Sequence, residues 1–395
     1  MIHYSTERER QSQVAYELRV DYSLPLRAEP HIGHNRWHPA IPPALRCNPG
    51  DELVLDTRDA VDGQFTTEST DEHVLGIDRT VVHPLTGPVY VTGAEPGDLL
   101  VVDILEISPP SFGYTAQIPG LGFLRDLFPD PFIVTWHIAD GWAVSNRLPG
   151  VRIPAAPFIG TIGVAPSADL LSLITAREQR ILDQGGFVNP PTKAGAVPAD
   201  EVIAREGLRT MPPRENGGNL DVKQLGPGAR VLLPVFAKGA LLSVGDVHFA
   251  QGDSEICGTA IEIRSTVRLR VDIKKLEGER SERPRVRFQV SGGQDRSIRG
   301  YQRNFYATTG ISVDPGGANS PEDLGLAARN ALIDMIDYLV RSRGYNRQQA
   351  YAICSVAVDL RISAVVNVPN FLVSAFLPLD IFVQQAGVGR GTLRP

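Results

Sequence analysis

Cysteine is scarce in this 395-residue chain. Its three residues, Cys47, Cys257 and Cys354, lie far apart and include no C-x-x-C pair. A disulfide framework or an all-cysteine metal site has nothing to build on, and a reduced, cytoplasmic protein is expected. Positive charge is not in excess either. The 39 Lys and Arg face 45 Asp and Glu for a net −6, so nucleic acid is not an expected partner. Long hydrophobic runs are missing. The longest, over 362–382, is broken by Asn367, Pro369, Asn370, Pro378 and Asp380, which excludes a membrane helix and indicates buried strands joined by turns. The first ten residues contain no signal-peptide hydrophobic region. Two motifs are absent as well. Without G-x-S-x-G there is no α/β-hydrolase serine elbow, and without a Lys-Ser/Thr pair after Gly217-Gly218 that loop does not read as a phosphate cradle. No repeat of fixed period is visible.

Glycine and proline are abundant, at 38 and 31 residues. Many turns and few long helices follow, so the expected fold is β-rich α+β. The reading is a β-sandwich (jelly-roll-like) body over residues 1–299, with Gly/Pro-rich loops near 185–230. Residues 300–395 form an α+β segment with two helices and closing strands, packed with the body as one unit. Residues 99–107 read as a central strand. Residues 231–236 and 241–244 read as a hairpin. The cleanest two-residue alternation runs over 261–273, with 285–290 expected to pair with it across a charged turn at 277–283. Helical spacing marks 168–183. A second helix is expected from Ser320 as N-cap, with Pro321 at the first turn and Asp323 completing a capping box. Its apolar stripe is Ala328, Leu332, Met335 and Leu339, its end is near Gly344, and a shorter helix follows from Asn346 toward Leu360.

The densest polar stretch is Gly245-Asp-Val-His-Phe-Ala-Gln-Gly-Asp-Ser-Glu255, flanked by strand-like runs. Asp246 and His248 are two apart in an extended segment and should share a side. Such a pair either binds a divalent metal or orients a general base. Asp253 and Glu255 have the same spacing, and one of them, partly buried, could move a proton. Cys257 beside these acids would have a raised thiol pKa and reads as structural. Ser254 has no base placed beside it. Water attack, activated by metal, carboxylate or both, is what remains. Elsewhere, His31-Ile-Gly-His34-Asn-Arg-Trp37-His-Pro is either a site wall or a loop whose histidines cap backbone groups. Asp59 and Gln64 follow a strand end, where ligands are often placed, and His83 lies in another turn.

Several separated blocks resemble the acetamidase/formamidase family. They are His34-Asn-Arg-Trp-His-Pro39, Gly87-Pro88 with Gly93-Ala-Glu-Pro-Gly-Asp98, Glu215-Asn-Gly-Gly-Asn219, Gly245-Asp-Val-His248 with Gln251-Gly-Asp-Ser-Glu255, and Cys354-Ser-Val-Ala-Val-Asp-Leu-Arg-Ile-Ser363. The first and last are similar to the formamidase branch. The resemblance implies hydrolysis of a short, formamide-like amide to carboxylate and ammonia, a cytoplasmic homo-oligomer, and in some members a divalent metal, plausibly zinc. Ser254 stands where the family usually has glycine, and Ala40 where an acid often follows His-Pro.

On this basis Asp59, Asp246 and His248 are expected to hold a divalent cation or a water. Glu255, supported by Asp253, is the expected base. His34, Trp37, His83, Asn219 and Asp221 are expected to bind substrate. An unactivated amide requires a barrier reduction upwards of ~8 kcal/mol, and one carboxylate supplies only about 3–5. A second contributor is needed, either a metal or oxyanion donors such as the Gly217-Gly218 amides. Two rival readings are an amidase of larger or N-substituted amides and a non-catalytic small-molecule-binding β-sandwich.

Overall fold

A computed structural model describes residues 15–276, 285–290 and 304–383. The fold is β-rich α+β. A six-stranded sheet runs in the order Ala15–Leu18, Glu52–Thr57, Ser265–Lys274, Leu99–Ser108, Ala229–Pro234, Arg287–Val290. Leu99–Ser108 is central in it, because its apolar residues are flanked on both edges and buried on alternate positions. A second sheet of eleven strands has Phe112–Gln117, Glu262–Ile263, Leu242–His248 and Phe158–Gly163 at its middle. Both sheets send side chains into one apolar cluster, including Leu55, Val102, Leu233 and Val267 from the first and Val134, Ile162 and Val244 from the second.

The same cluster continues into the C-terminal part. There the helix Leu324–Arg343 lies on a three-stranded sheet ordered Phe305–Ile311, Leu372–Pro378, Asp359–Ala364. That helix starts at Leu324, three residues later than Pro321. Asp323 is its N-cap, accepting from Leu326 N–H, and Gly344 ends it in the left-handed conformation at φ 76°. Its buried face is Ala327, Ala331, Leu332, Met335, Ile336 and Leu339, with Ala328 only half-buried. Asn346 caps Arg347–Ala357 through a capping box with Gln349. Ala168–Asp183 is helical as its spacing predicts, with Ser167 as N-cap.

Two strand pairings differ from expectation. Ala229–Pro234 and Leu242–His248 are not a hairpin but belong to different sheets. Between them Ala240 and Leu241 take φ values of 58° and 60°, which swing the chain from one sheet to the other. Arg287–Val290 pairs with Ala229–Pro234 rather than with Ser265–Lys274. The charged turn expected at 277–283 lies outside the described residues.

One strand positions the site. Leu242–His248 keeps Phe158–Gly163 along one edge. On its other edge it changes neighbour: Leu242 to Gly245 pair with Leu85–Val91, and Val247 and His248 pair with Ile263 and Glu262. Asp246 sits at the change with φ 52°. Val244 and Val247 both reach the core, so the alternation breaks between them. Asp246 and His248 then share the opposite side.

Candidate active site

Asp246 and His248 are almost fully buried, and each finds its partners on a different neighbouring segment. Glu262 stands directly across the ladder from His248, and its Oε2 lies 3.2 Å from His248 Nε2. Asp246 Oδ1 is 3.4 Å from the same nitrogen, which has no straight hydrogen bond to either oxygen. The other ring nitrogen, Nδ1, is 2.9 Å from Gln251 Oε1. An amide oxygen can only accept, so Nδ1 carries a proton and Nε2 is the atom offered to the site. Gln251 is itself anchored, donating from Nε2 to the Asp221 carbonyl at 3.0 Å.

His83 enters from the segment leading into Leu85–Val91. Its backbone is held by the Thr210 hydroxyl, 2.6 Å from His83 N and 3.2 Å from His83 O. Its Nδ1 lies 4.0 Å from Asp246 Oδ2 and has no hydrogen-bond partner. Thr161 Oγ1 is 2.8 Å from Asn219 Oδ1 and 3.2 Å from Asp246 Oδ2. Asp221 follows the short strand Gly217–Asn219 and is tied down by its N–H to Gly160 O at 3.2 Å. Gly160 is required at this point. A Cβ there would lie 2.6 Å from Asp246 O, 2.9 Å from Asp221 Oδ1 and 3.0 Å from His248 Cε1.

Two groups of atoms converge within 4.8 Å. One is Asp221, Asp246 and His248; the other is His248, Glu255 and Glu262. Asp221 and Glu255 are half-buried and form the mouth, while His248, Glu262 and Asp246 form the floor. Electrostatics follow this division. Burial opposes a charged His248, but the Glu262 and Asp246 carboxylates override it and raise its pKa well above normal. For Asp246, burial is outweighed by His83 and His248, and its pKa falls. Burial raises Asp221 to about 7, with Asp246 and Glu262 adding to the rise against His248. Burial and then the Asp221 charge raise Glu255 well above the usual carboxyl range. Glu262 is raised too, by burial against the pull of His248.

The structure thus brings together Asp246, His248, Glu255, Asp221, His83 and Asn219. Asp59 is not in either group. Its Oδ1 accepts from Tyr114 Oη and Val61 N at 3.1 Å, and its Oδ2 from Gly63 N at 3.0 Å, so the turn it opens has claimed the carboxylate. Asp221 is the carboxylate that lies with Asp246 and His248. Asp253 also points elsewhere. It faces Lys223 at 3.4 Å, and Asp221, not Asp253, is the carboxylate beside Glu255. The chain turns through Ser254 and Glu255 at φ 88° and 47°, so the two acids do not share a side as an extended strand would have them. His34 and Trp37 pack edge to face at 5.8 Å, with Trp37 among Leu85, Leu171, Ile174 and Leu208. His34 Nε2 bonds Ser243 Oγ at 2.7 Å, three residues before Asp246 along the strand. Gly217 and Gly218 form strand pairs with Gly163 and Ile162, and Gly217 N–H donates to Arg214 O at 3.1 Å. Gln64 holds the backbone at Val61 and Asp78.

Glu262 and Thr161 are the site residues that spacing did not single out, and Gln251 was part of the polar stretch without a role of its own. Glu262 was legible only as an acid set between Ile261 and Ile263. Thr161 carried no signal.

The model of the Acetamidase/Formamidase family matches residues 19–384. An acetamidase of Mycolicibacterium smegmatis is 37% identical over 361 residues, covering 85% of this chain and 87% of the relative. A formamidase of Methylophilus methylotrophus is 37% identical over 369 residues, covering 88% and 89%. Among solved structures, a gamma lactamase from Delftia acidovorans superimposes with a TM-score of 0.87 at 36% identity, covering 93% of each chain. The match spans both sheets and the C-terminal part, and the chain belongs to the Acetamidase/Formamidase family.

Proposed function

We propose that this chain hydrolyses the carbon–nitrogen bond of short linear amides to a carboxylate and ammonia, using water held between the floor and the mouth of the Asp246–His248 site. Its family makes amide hydrolysis the reaction class. The observation that carries the site is a set of four buried polar atoms with no well-aligned hydrogen bond, His83 Nδ1, Asp221 Oδ1, and His248 Nε2 and Glu262 Oε2, which face each other as an ion pair. Buried polar atoms left without a good hydrogen bond are costly, and four grouped around two carboxylates fit a site that binds something small.

The donor set fits a divalent cation such as zinc. Imidazole and carboxylate oxygens are its usual ligands, and Gln251 gives His248 the tautomer a ligand needs. Asp221, Asp246 and His248 would hold it, and it would supply a Lewis acid and a more acidic water. Glu255 is the general base. Its raised pKa makes it a stronger proton acceptor than an ordinary carboxylate and a ready donor to the leaving nitrogen. Glu262 holds the floor by accepting from Ala260 N–H at 2.9 Å while facing His248. His83 and the Asn219 amide are the candidate donors to the carbonyl oxygen, in place of the Gly217-Gly218 amides.

The test is ammonia release from formamide, acetamide and longer amides, with cyclic amides included because of the likeness to the Delftia protein and their ring opening read as a new primary amine. Glu255→Gln should lower turnover by about 10²–10⁴-fold. Near-normal turnover would sink the base assignment. Loss of activity on chelation and its return with zinc support the metal, and activity unchanged by either step removes it.

Three further features belong to this proposal. The sandwich is supported by the two large sheets facing one apolar cluster. A homo-oligomer is supported by exposed apolar residues such as Ile362, Val366 and Val368, and size-exclusion chromatography tests it. A cytoplasmic setting is supported by three free, buried cysteines. Among the described residues, no helix is long and apolar enough to cross a membrane.

A further inference from the structure

The mouth of the site needs support from outside. Asp221 and Glu255 both take left-handed backbone, at φ 48° and 47°. Residues with side chains seldom stay there unless their surroundings impose it. Lys223 lies two residues after Asp221, and its largely buried ammonium forms an ion pair with Asp359. The same ammonium is 3.4 Å from Asp253, two residues before Glu255. Asp253 N–H donates to Asp359 Oδ1 at 3.2 Å, so one carboxylate oxygen receives both the lysine and the turn. The turn also leans on the end of the helix Arg347–Ala357. Gly252 N–H donates to Ser355 O at 2.9 Å, and any side chain at 252 would collide with the Val358 backbone. The second oxygen of Asp359 is 3.7 Å from Arg361.

We propose that the Lys223–Asp359 ion pair is a positioning clamp that sets the separation of Asp221 and Glu255 across the mouth. It rests on the placement of the reaction at those two acids. Lys223 touches neither the floor nor the expected reacting atoms. Its three donors suit it to span two carboxylates, and its partial burial makes the pair more than a surface contact. The clamp joins 221–223, 252–255 and 355–361, so the C-terminal part holds the base in register.

The experiment compares Lys223→Met, Lys223→Arg, Asp359→Asn and the Lys223→Met/Asp359→Asn double variant with the full-length enzyme. It reads kcat, KM and melting temperature on the best amide of the panel. Lys223→Met and Asp359→Asn should each lower kcat by about 10–100-fold, as a small misplacement of a catalytic group does, with KM within about threefold. The double variant should be no worse than the weaker single variant. Lys223→Arg should recover most of the rate. A merely structural role would lower the melting temperature and leave kcat per folded enzyme unchanged, which overturns the clamp. Additive losses in the double variant also overturn it. Glu255→Gln separates the two levels. Normal turnover there removes the site reading and the clamp with it, whereas its loss alongside normal Lys223→Met turnover removes the clamp alone.

Discussion

Gly160→Ala tests the geometry of the floor with a single methyl group. The new Cβ would stand 2.6 Å from Asp246 O, where carbon contacts settle near about 3.5 Å. The obstacle is backbone, so rotamer changes give no relief. Strand Phe158–Gly163 must move from Leu242–His248 by something near an ångström. The same methyl presses on Asp221 Oδ1 at 2.9 Å and His248 Cε1 at 3.0 Å, so three members of the site shift at once. Overpacking of this kind costs about 1–3 kcal/mol of stability. Misplacement of reacting groups on the ångström scale costs about 10²-fold in rate. The expected result is a protein that still folds, with a modestly lower melting temperature and kcat/KM down by two decades or more in an ammonia-release assay. Activity and melting temperature both at the parental level would refute the close approach of these strands and the site built on it.

Other expectations follow from neighbouring features. Gln251→Leu removes the acceptor that holds the proton on His248 Nδ1, and should weaken divalent-cation affinity by about 10–100-fold, read by chelator competition; unchanged affinity refutes that role. Burial lowers His34 from 6.5 to about 4. As the pH falls through 6.5 the unfolded chain takes a proton that folded His34 refuses until about 4, so stability drops across that window. The loss is about 3 kcal/mol. His34→Gln should show a shallower acid limb in urea unfolding between pH 7 and 4, and parallel limbs would contradict it. Ser254 is exposed at φ 88°, so Ser254→Gly should stabilise by about 1 kcal/mol with KM unchanged. A raised or lowered KM would instead return Ser254 to the pocket.

What could be read in advance was local. The Ala168–Asp183 helix, the Gly344 stop and the Asn346 cap depend on residues a few positions apart, and all are found. Asp246 and His248 share a side as their two-residue spacing indicates, although the left-handed backbone at Asp246 breaks the alternation just before them. Asp253 and Glu255 looked equivalent but lie in a turn, and torsion angles there are set by contacts with Lys223, Asp359 and the Val358 backbone, all far along the chain. By the two-residue alternation over 261–273, Glu262 would fall on the same face as Arg264 and Arg268. The chain leaves one sheet after Ile263 and joins the other at Ser265, so Glu262 turns inward while Arg268 faces Glu52. Asp221 rather than Asp59 lies beside Asp246 for a similar reason: a nearby turn captured Asp59, and the pairing of Asn219 with Thr161 and the bond to Gly160 O carry Asp221 to the site.

The neighbour change along Leu242–His248 bears on how the enzyme gains activity during folding. Residues from 83 to 262 meet only when that strand has found Phe158–Gly163, Leu85–Val91 and Glu262–Ile263. Each of these pairings closes a loop in the chain, and non-local closures are slow to form. A partly assembled chain can hold helices and local turns yet own no complete set of acids. In refolding from denaturant, hydrolysis should therefore return with the final tertiary transition and lag behind the recovery of secondary structure.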